Sequence, residues 1–384
     1  DRPVRKLLTV DRPPHGFTLP RRDFAVQYAE IYTKRVAALR GACISAARRK
    51  WSSLEPKVAF ADRLRSLHCG KQMVVIGTVF RDMPLRPTAL DEYTRKRGIE
   101  APPPRENYCS DEDTFILEDE SCRVNVLVAE DSPVHMDQLC TGVVVALLGV
   151  EDADGNFVMH DVCLPGPPPQ AALPALPAGT APSYVLLVSD LRIGHPEANP
   201  LLDQMLVDYV TGALGTHEFH EDNAKLSQVI VVGSTFTSDN IEAASERRSR
   251  SDQGQLSEKR ISALTSLKRA DHLLAELCSS VAVDILPGPN DPTNFSLPQQ
   301  PLSPYVLPLS ESLSSCNAVT NPHLAVYSGT HFVVCSGQVS SSLARFSKVS
   351  DPLDVLELTL RSRHLAPIAP DALEIYPFKE SDPF

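Results

Sequence analysis

Short polar motifs follow three apolar runs in the second half of the chain. The apolar runs cover residues 184–189, 229–233 and 281–286. The candidate site positions in the motifs after them are Asp190, Arg192, Ser234, Thr237, Pro289, Asn290 and Asp291. Ligands of open α/β sheets bind past the carboxyl ends of the strands, and carboxylate and amide oxygens bind hard divalent cations. The motifs therefore indicate where metal-assisted chemistry would take place in this chain.

The order of the three motifs resembles the calcineurin-like metallophosphoesterases. Members of that family carry Asp-x-His, Gly-Asp-x-x-Asp and Gly-Asn-His-Asp/Glu at these strand ends. Those side chains hold two metal ions, which bind a phosphoryl group and activate water. The resemblance implies a phosphoesterase-like domain with helices layered on a sheet.

Most of the ligand positions that this resemblance implies carry residues that bind metals poorly. Asp190 keeps the first carboxylate, and Asp291 lies beside the site. The substitutions are Arg192 for the first His, Ser234 for the bridging Asp, Thr237 for the later Asp, Pro289 for the Asn and Asn290 for the second His. A guanidinium stays protonated and offers no lone pair to a metal. We therefore predict no catalytic residue, metal or cofactor, and we interpret the nearby His195 as a loop residue.

Composition and charge argue against a DNA-tracking protein, a disulfide-bonded protein and a membrane-spanning protein. The 384 residues include 48 acidic and 37 basic side chains, which give a formal net charge of −11. A protein that tracks the phosphates of DNA is expected to be basic over at least one domain. None of the nine cysteines belongs to a Cys-x-x-Cys pair, a pattern typical of reduced thiols in a nuclear or cytosolic protein. No apolar run reaches the ~18 residues of a membrane span.

The elements that position these motifs differ along the chain. Residues 1–70 are predicted to form an amino-terminal helical segment. Tyr28, Ile31, Tyr32 and Leu39 recur there at three- and four-residue steps, with Asp23 as a helix cap. We interpret this stripe as core packing.

Residues 71–166 alternate in the manner of strands. The predicted strands cover 71–83, 114–120, 122–130, 142–150 and 156–163, with a short helix at 133–140. Three strands, a helix and two further strands match a five-stranded OB β-barrel.

A linker rich in proline and alanine covers 167–182, and strands alternate with helices over 183–384. The helices are predicted near 201–210, 256–277 and 351–364, and a hairpin joins 324–327 to 332–335. Continuous apolar runs are typical of strands buried on both faces of a sheet. The predicted fold is therefore mixed α+β: an OB barrel plus a degenerate, calcineurin-like α/β layered domain.

An OB domain followed by a degenerate phosphoesterase domain is similar to the B-type subunits of eukaryotic replicative DNA polymerases, and most similar to their delta member. The most specific stretch, at 283–294, reads VDILPGPNDPTN and continues through SLPQQPL at 296–302. Further similar stretches are DFAVQYAEIY at 23–32 and APIAPD at 366–371. The resemblance covers nearly the whole chain.

This resemblance implies a nuclear, non-catalytic subunit of the polymerase delta holoenzyme, acting in DNA replication and repair synthesis. The implied partners are the cysteine-rich carboxy-terminal domain of the catalytic subunit and a third subunit. In fungi and animals the family's delta member is also shared with a translesion polymerase. Family members continue past the position of Phe384, so we expect the last part of the phosphoesterase-like domain to be missing.

Two alternative functions remain open from the residues alone. One is a divergent metal-dependent phosphodiesterase. The other is an OB-type module that binds single-stranded DNA, which requires stacking aromatics and a basic groove. The predicted strands offer Phe80, Phe115 and Phe157, and acidic residues at 111–113 and 118–120 lie at both ends of one strand. We therefore expect DNA contact to be weak or indirect.

Overall fold

The computed structural model describes residues 4–19, 25–54, 58–88, 105–130, 132–134, 136, 139–170, 172, 182–237, 255–349 and 351–384. The chain forms two compact units. The parallel-sheet unit comprises Asp1–Arg22 and Ala171–Gln338, and the barrel unit comprises Asp23–Gln170 and Val339–Phe384.

The strands and helices of the described residues are as follows. The strands are β1 (Val10–Asp11), β2 (Ala59–Phe60), β3 (Gln72–Asp82), β4 (Thr114–Glu118), β5 (Arg123–Val128), β6 (Val144–Glu151), β7 (Phe157–Cys163), β8 (Tyr184–Val188), β9 (Leu226–Val232), β10 (Ala282–Leu286), β11 (Cys316–Ala318), β12 (His323–Tyr327) and β13 (Thr330–Val334). The helices are α1 (Ala29–Lys50), α2 (Pro200–Thr211), α3 (His217–Asn223), α4 (Gln255–Cys278), α5 (Pro308–Glu311), α6 (Gln338–Phe346) and α7 (Pro352–Ser362).

Five strands close into a ring in the barrel unit. The sheet order is β2-β3-β4-β5-β7-β6, and β3 also pairs with β6. The long strand β3 closes the ring because its first half pairs with β6 and its second half pairs with β4. Gly77 lies where the two pairings meet, and a Cβ there would approach the Glu118 carbonyl oxygen to 2.6 Å. The five predicted strands of the barrel are confirmed.

Helix α1 packs along the outside of this ring. Its buried face joins one apolar cluster with strands β3 and β6, built around Val36, Leu39, Cys43 and Ala47. The predicted role of the stripe in core packing is confirmed for Ile31 and Leu39, which are buried. Tyr28 is exposed, and the predicted cap Asp23 lies outside the described residues.

A buried guanidinium ties the carboxy-terminal residues to the barrel. Arg35 bonds Asp382 (Nε to Oδ2, 2.7 Å) and the carbonyl oxygens of Gly142 (3.1 Å), Pro367 (2.7 Å) and Ala369 (2.8 Å). A buried charge needs such partners because an unpaired one is very costly. These bonds give a physical reason why residues 339–384 belong to the barrel unit, although the predicted segment 183–384 was continuous.

The parallel-sheet unit is built in layers. Strands β11-β10-β9-β8 form a four-stranded parallel sheet. Helices α2 and α4 share one apolar cluster with Val229 and Val231 of β9. The alternate residue Ile230 belongs to a second cluster with β12, which forms a separate three-stranded sheet with β1 and β13. Strand β9 is therefore buried on both faces, as its apolar run predicts.

The prediction of burial on both faces is wrong for the first apolar run. Strand β8 is the edge strand of the parallel sheet, with β9 as its one neighbour among the described residues. Tyr184 is 51% exposed and Leu187 is 58% exposed. The reason is the position of β8 at the edge of the sheet. An apolar run indicates that a segment favours a strand, but it does not indicate whether another strand or a helix covers that strand.

The length of an element decides whether its pattern can be recognised in the sequence. The predicted helices α2, α4 and α7 and the hairpin of β12 and β13 are confirmed. Strands β1, β2 and β11 have only two or three residues, too few for a periodic pattern. Part of the predicted helix at 133–140 and most of the linker at 167–182 lie outside the described residues, as do residues 238–254.

Candidate functional site

All seven candidate site residues lie past the carboxyl ends of β8, β9 and β10. Because the three strands are parallel, their ends share one edge of the sheet, as the motif order predicts. Asp190, Arg192 and Ser234 adopt positive φ angles of 60°, 43° and 50°. This conformation is uncommon outside glycine, so the chain turns sharply after β8 and β9.

The two charged residues after β8 pair with each other. Arg192 Nε lies 3.2 Å from Asp190 Oδ2, and the side chains are 49% and 57% exposed. The backbone N–H of Arg192 donates to the Ser234 carbonyl oxygen (3.0 Å), which links the segments after β8 and β9. The guanidinium therefore neutralises the one carboxylate that the metal-site pattern retains.

The segments after β9 and β10 are in close backbone contact. A Cβ on Gly288 would lie 2.5 Å from the Ser234 nitrogen, and one on Gly233 would lie 2.6 Å from the Ser336 Cβ. Gly233 also has a φ of +66°, which L side chains rarely adopt. Both positions accordingly require glycine, and the backbone itself fills the space between the two strand ends.

Asp291 is buried and braces these segments. Its carboxylate accepts hydrogen bonds from the backbone N–H groups of Phe236 (3.0 Å) and Gly288 (2.7 Å). Removal from water disfavours the charged form, and this desolvation raises the pKa of Asp291 to about 6 although the backbone hydrogen bonds oppose the change. Both carboxylate oxygens are thus engaged in holding loops together.

The remaining candidate residues differ in their exposure to solvent. Thr237 is buried, Pro289 is exposed, and Ser234 and Asn290 are half-buried. Among the residues that the structure describes, no group of three or more His, Cys, Asp or Glu side chains could hold a metal ion.

A network of neutral side chains, which sequence reasoning missed, supports the same edge. Gln299 Nε2 donates to the Gly288 carbonyl oxygen (3.0 Å), and Asn321 Nδ2 donates to Gln299 Oε1 (2.9 Å) and Ser336 Oγ (2.6 Å). Gln338 Nε2 also donates to Gln299 Oε1 (3.0 Å). In the sequence, the only signal for this network was the specific stretch 283–302. It includes Gln299 but not the distant partners Asn321, Ser336 and Gln338. The network has no charge to attract a cation.

A cavity of about 320 Å³ opens beside the end of β8. Its polar lining is Asp190, Arg192, His195, Glu197, Asn199 and Asp203. His195 Nδ1 accepts a hydrogen bond from the Glu197 backbone N–H (3.2 Å), and Arg269 pairs with Asp203 (2.5 Å). A local hydrogen bond therefore occupies Nδ1 of His195, the residue that could be proposed as a shifted ligand.

The barrel offers its aromatic residues poorly to DNA bases. Phe157 is buried, the Arg81 guanidinium lies over the Phe115 ring (5.2 Å), and Arg123 lies over Phe80 (5.8 Å). The same arginines pair with acids, Arg81 with Asp113 (2.8 Å) and Arg123 with Glu118 (2.9 Å). This arrangement differs from an open stacking platform in a basic groove.

No helix among the described residues has the length and apolar character that crossing a membrane requires.

Two family models match the chain. The model of the DNA polymerase delta subunit OB-fold domain matches residues 27–162, and the model of the B-type subunits of DNA polymerases alpha and epsilon matches residues 185–384. The first match confirms the predicted OB domain.

Curated relatives are similar over most of their length. A DNA polymerase delta small subunit of Arabidopsis thaliana is 38% identical over 358 residues, which cover 93% of this chain and 78% of the relative. That of Oryza sativa subsp. japonica is 34% identical, with coverages of 93% and 79%. The DNA polymerase delta subunit 2 of Drosophila melanogaster is 30% identical over 372 residues, with coverages of 96% and 82%.

Proposed function

Because the chain belongs to the family of DNA polymerase delta small subunits, we propose that it is a non-catalytic scaffold that holds other polymerase subunits together. As a subunit of DNA polymerase delta it takes part in DNA replication. The proposal further assigns it to the nucleus and to repair synthesis.

The observation that carries the non-catalytic role is the bonding of the side chains that lie past the carboxyl ends of β8, β9 and β10. A hydrolytic dinuclear site needs several oxygen and nitrogen ligands with open coordination positions. Here Asp190 is paired with Arg192, and Asp291 accepts two backbone hydrogen bonds. This pattern supports an inactivated phosphoesterase-like layer that binds no cofactor.

Exposed apolar helix faces support a role in holding partners. On α7 of the barrel unit, Leu353, Leu356 and Leu360 are 72%, 50% and 64% exposed and recur at steps that place them on one face. Asp354 and Glu357 border this leucine face, and Arg361 pairs with Glu357 (3.4 Å). On α2 of the parallel-sheet unit, exposed large apolar residues are Leu201, Leu202, Met205 and Tyr209. Contiguous apolar patches mark interaction sites.

The proposed partners are the cysteine-rich carboxy-terminal domain of the catalytic subunit and a third polymerase subunit. A translesion polymerase catalytic subunit is proposed as an alternative user of the same scaffold. The contact with DNA is proposed to be weak or indirect, since the barrel aromatics are buried or covered by arginine.

The test is capture of each partner by the full chain. Two double variants, Leu356→Glu with Leu360→Glu and Leu202→Glu with Met205→Glu, place charges on the two helix faces. At least one should lower the affinity for a partner about tenfold or more. Tyr305→Glu is the matched control, since Tyr305 is exposed and lies on neither face.

The same preparations test the alternatives. If both double variants bind both partners as the wild type does, these faces are not the scaffold surfaces. A wild-type chain that binds neither partner contradicts the scaffold role itself. Tight binding of a single-stranded oligonucleotide with a steep salt dependence would instead favour the DNA-binding module.

A further inference from the structure

The first described segment, residues 4–19, lies along the parallel-sheet unit as a strap. Near its start, Arg5 Nη1 donates to the Leu226 carbonyl oxygen (2.6 Å). At its end, the Leu19 backbone N–H donates to Gln300 Oε1 (3.0 Å). Between these points the strap contributes β1, which pairs with β12 through only two residues. Separate contacts along its length, and not a long strand ladder, therefore hold the strap in place.

The charged anchor of the strap is Arg12. Its Nη2 lies 2.5 Å from Oδ1 of Asp284 in β10, and the Asp284 side chain is fully buried. The same carboxylate accepts hydrogen bonds from Asn317 Nδ2 (3.0 Å) and from the Tyr327 hydroxyl. These two donors are neutral, and a buried carboxylate that lacks a cationic partner is costly. Arg12 therefore supplies the positive charge that Asp284 needs while the strap is in place.

Two imidazole rings lie beside this ion pair, one on the sheet and one on the strap. His323 of β12 is buried, and its Nε2 lies 3.8 Å from Asp284 Oδ2. Among the described residues, neither ring nitrogen of His323 has a hydrogen-bond partner. His15 of the strap packs edge-on against His323, with ring centroids 6.1 Å apart. The sheet thus keeps an unsatisfied imidazole close to the carboxylate that Arg12 occupies.

A proton on His323 would disturb this arrangement. Burial, and then the nearness of His323, lower the pKa of His15, so the closed strap disfavours a charge on its own imidazole as well. Protonated His323 would face Arg12 and His15 around one carboxylate, that of Asp284. Both of those neighbours belong to the strap, so the repulsion acts between strap and sheet. Histidine gains its charge between pH 8 and 5, and acid therefore favours separation of the strap from the sheet.

We propose that the strap is a proton-sensitive latch. It opens when protonated His323 replaces Arg12 as the cationic partner of Asp284. In the closed state Arg12 neutralises Asp284, and both imidazoles are uncharged. In the open state His323 holds a proton taken up from water, while Arg12 and His15 move away with the strap. The latch goes beyond the scaffold role and does not depend on it.

Opening would uncover apolar surface beneath the strap. Leu8 and Val10 pack against a buried cluster that includes Ile230, Leu286 and Tyr327. The edge of β12 that pairs with β1 would also lose its neighbour. Uncovered strand edges and apolar patches bind other chains. The latch therefore controls access to a surface that the closed protein hides.

Hydrogen–deuterium exchange of the full chain, resolved to single amides at pH 7.5 and pH 5.5, tests the latch. The Ser328 backbone N–H donates to the Thr9 carbonyl oxygen of the strap (2.8 Å), so its protection reports the closed state. After correction for intrinsic exchange rates, this protection should fall about tenfold or more at pH 5.5. An imidazole that has its ordinary pKa in the open state and stays neutral in the closed state contributes a factor of ~10 over this range. Amides of β9 should keep their protection, which separates opening of the strap from unfolding of the unit.

Variants identify the groups that take up the proton. In the double variant His15→Gln with His323→Gln, the protection of Ser328 should change less than about twofold between the two pH values, because neither imidazole remains. His331→Gln is the matched control, since His331 is exposed on the neighbouring strand β13, and it should keep the full response. Arg12→Met should lower the protection at pH 7.5 at least about tenfold, since it leaves Asp284 without its cation.

The wild-type measurement needs no substitution, so it stands even where a variant folds poorly. The proposal is wrong if the wild-type protection of Ser328 is the same at both pH values. It is equally wrong if the double histidine variant responds to pH as the wild type does, or if Arg12→Met keeps the wild-type protection at pH 7.5.

Discussion

Asp291 in the parallel-sheet unit and His364 in the barrel unit are both buried titratable side chains. Removal from water disfavours the charged form of each. It raises the pKa of Asp291 to about 6 and, with the nearby charge of Arg35, lowers the pKa of His364 to about 4 although Asp382 opposes this. One physical cause therefore moves an acid and a base in opposite directions.

The consequence for stability has opposite signs in the two units. Below pH 6.5 the unfolded chain protonates a histidine that stays neutral in the folded state until about pH 4, so stability falls as the pH falls through this window. Folded Asp291 takes up a proton near pH 6, whereas the unfolded side chain does so near 3.8. This contribution increases stability as the pH falls through the same window. The two contributions largely cancel in the wild type, and single variants should separate them.

The largest effect is expected for Arg35→Met. This variant leaves the Asp382 carboxylate buried without its guanidinium partner (2.7 Å), and removal of one member of a buried pair costs about 3–5 kcal/mol. Urea unfolding at pH 7 measures the loss. The matched control is Arg361→Met, which breaks an exposed pair with Glu357 (3.4 Å) and should cost less than ~1 kcal/mol. A loss for Arg35→Met no larger than that of the control would contradict the role of Arg35 as the tie to the barrel.

The next effect is the pH dependence of the barrel unit. In His364→Gln the group that titrates is gone, while an amide N–H can still donate to Asp382, the partner of His364 Nε2 (2.9 Å). Relative to the wild type, the variant should lose less stability on going from pH 6.5 to pH 4, by about 3 kcal/mol. Unfolding free energies at several pH values give this slope. Parallel curves for variant and wild type would show that His364 is not held neutral by burial.

The opposite slope is expected for Asp291→Asn. The substitution removes the carboxylate whose protonation stabilises the folded state at low pH, so the variant should lose about 3 kcal/mol more than the wild type as the pH falls from 6 to 4. At pH 7 the neutral amide removes the cost of burying a charge, which offsets the loss of one acceptor for a backbone N–H. If the unfolding free energy of Asp291→Asn changed with pH in the same direction as that of His364→Gln, relative to the wild type, the opposite signs expected for the two units would be contradicted.

The smallest effect is expected for Asp190→Ala. The Asp190–Arg192 pair is exposed, so its loss should change the unfolding free energy by less than ~1 kcal/mol. With manganese added, neither wild type nor variant should hydrolyse a phosphodiester substrate above a matched blank. Turnover that follows the wild-type protein and disappears in Asp190→Ala would support the divergent phosphodiesterase instead.

The local elements and the family could be predicted from the residues alone. Strand β9 and helix α4 follow from patterns that lie within one element, and the stretch 283–302 indicated the polymerase subunits that the comparisons then matched. The order of the polar motifs also placed the candidate residues at one sheet edge, because parallel strands share their carboxyl ends.

Which of those residues are covered, and what they contact, depends on how distant segments of the folded chain meet. The exposure of Leu187 depends on the position of β8 at the sheet edge. Arg35 meets Asp382 although 347 positions separate them, and the backbone groups that bind Asp291 include Phe236, 55 positions away. No local pattern records such partners, since burial and pairing depend on which distant segments meet. For the same reason the sequence could only predict that metal ligands are replaced, whereas the structure shows which bonds Asp190 and Asp291 make.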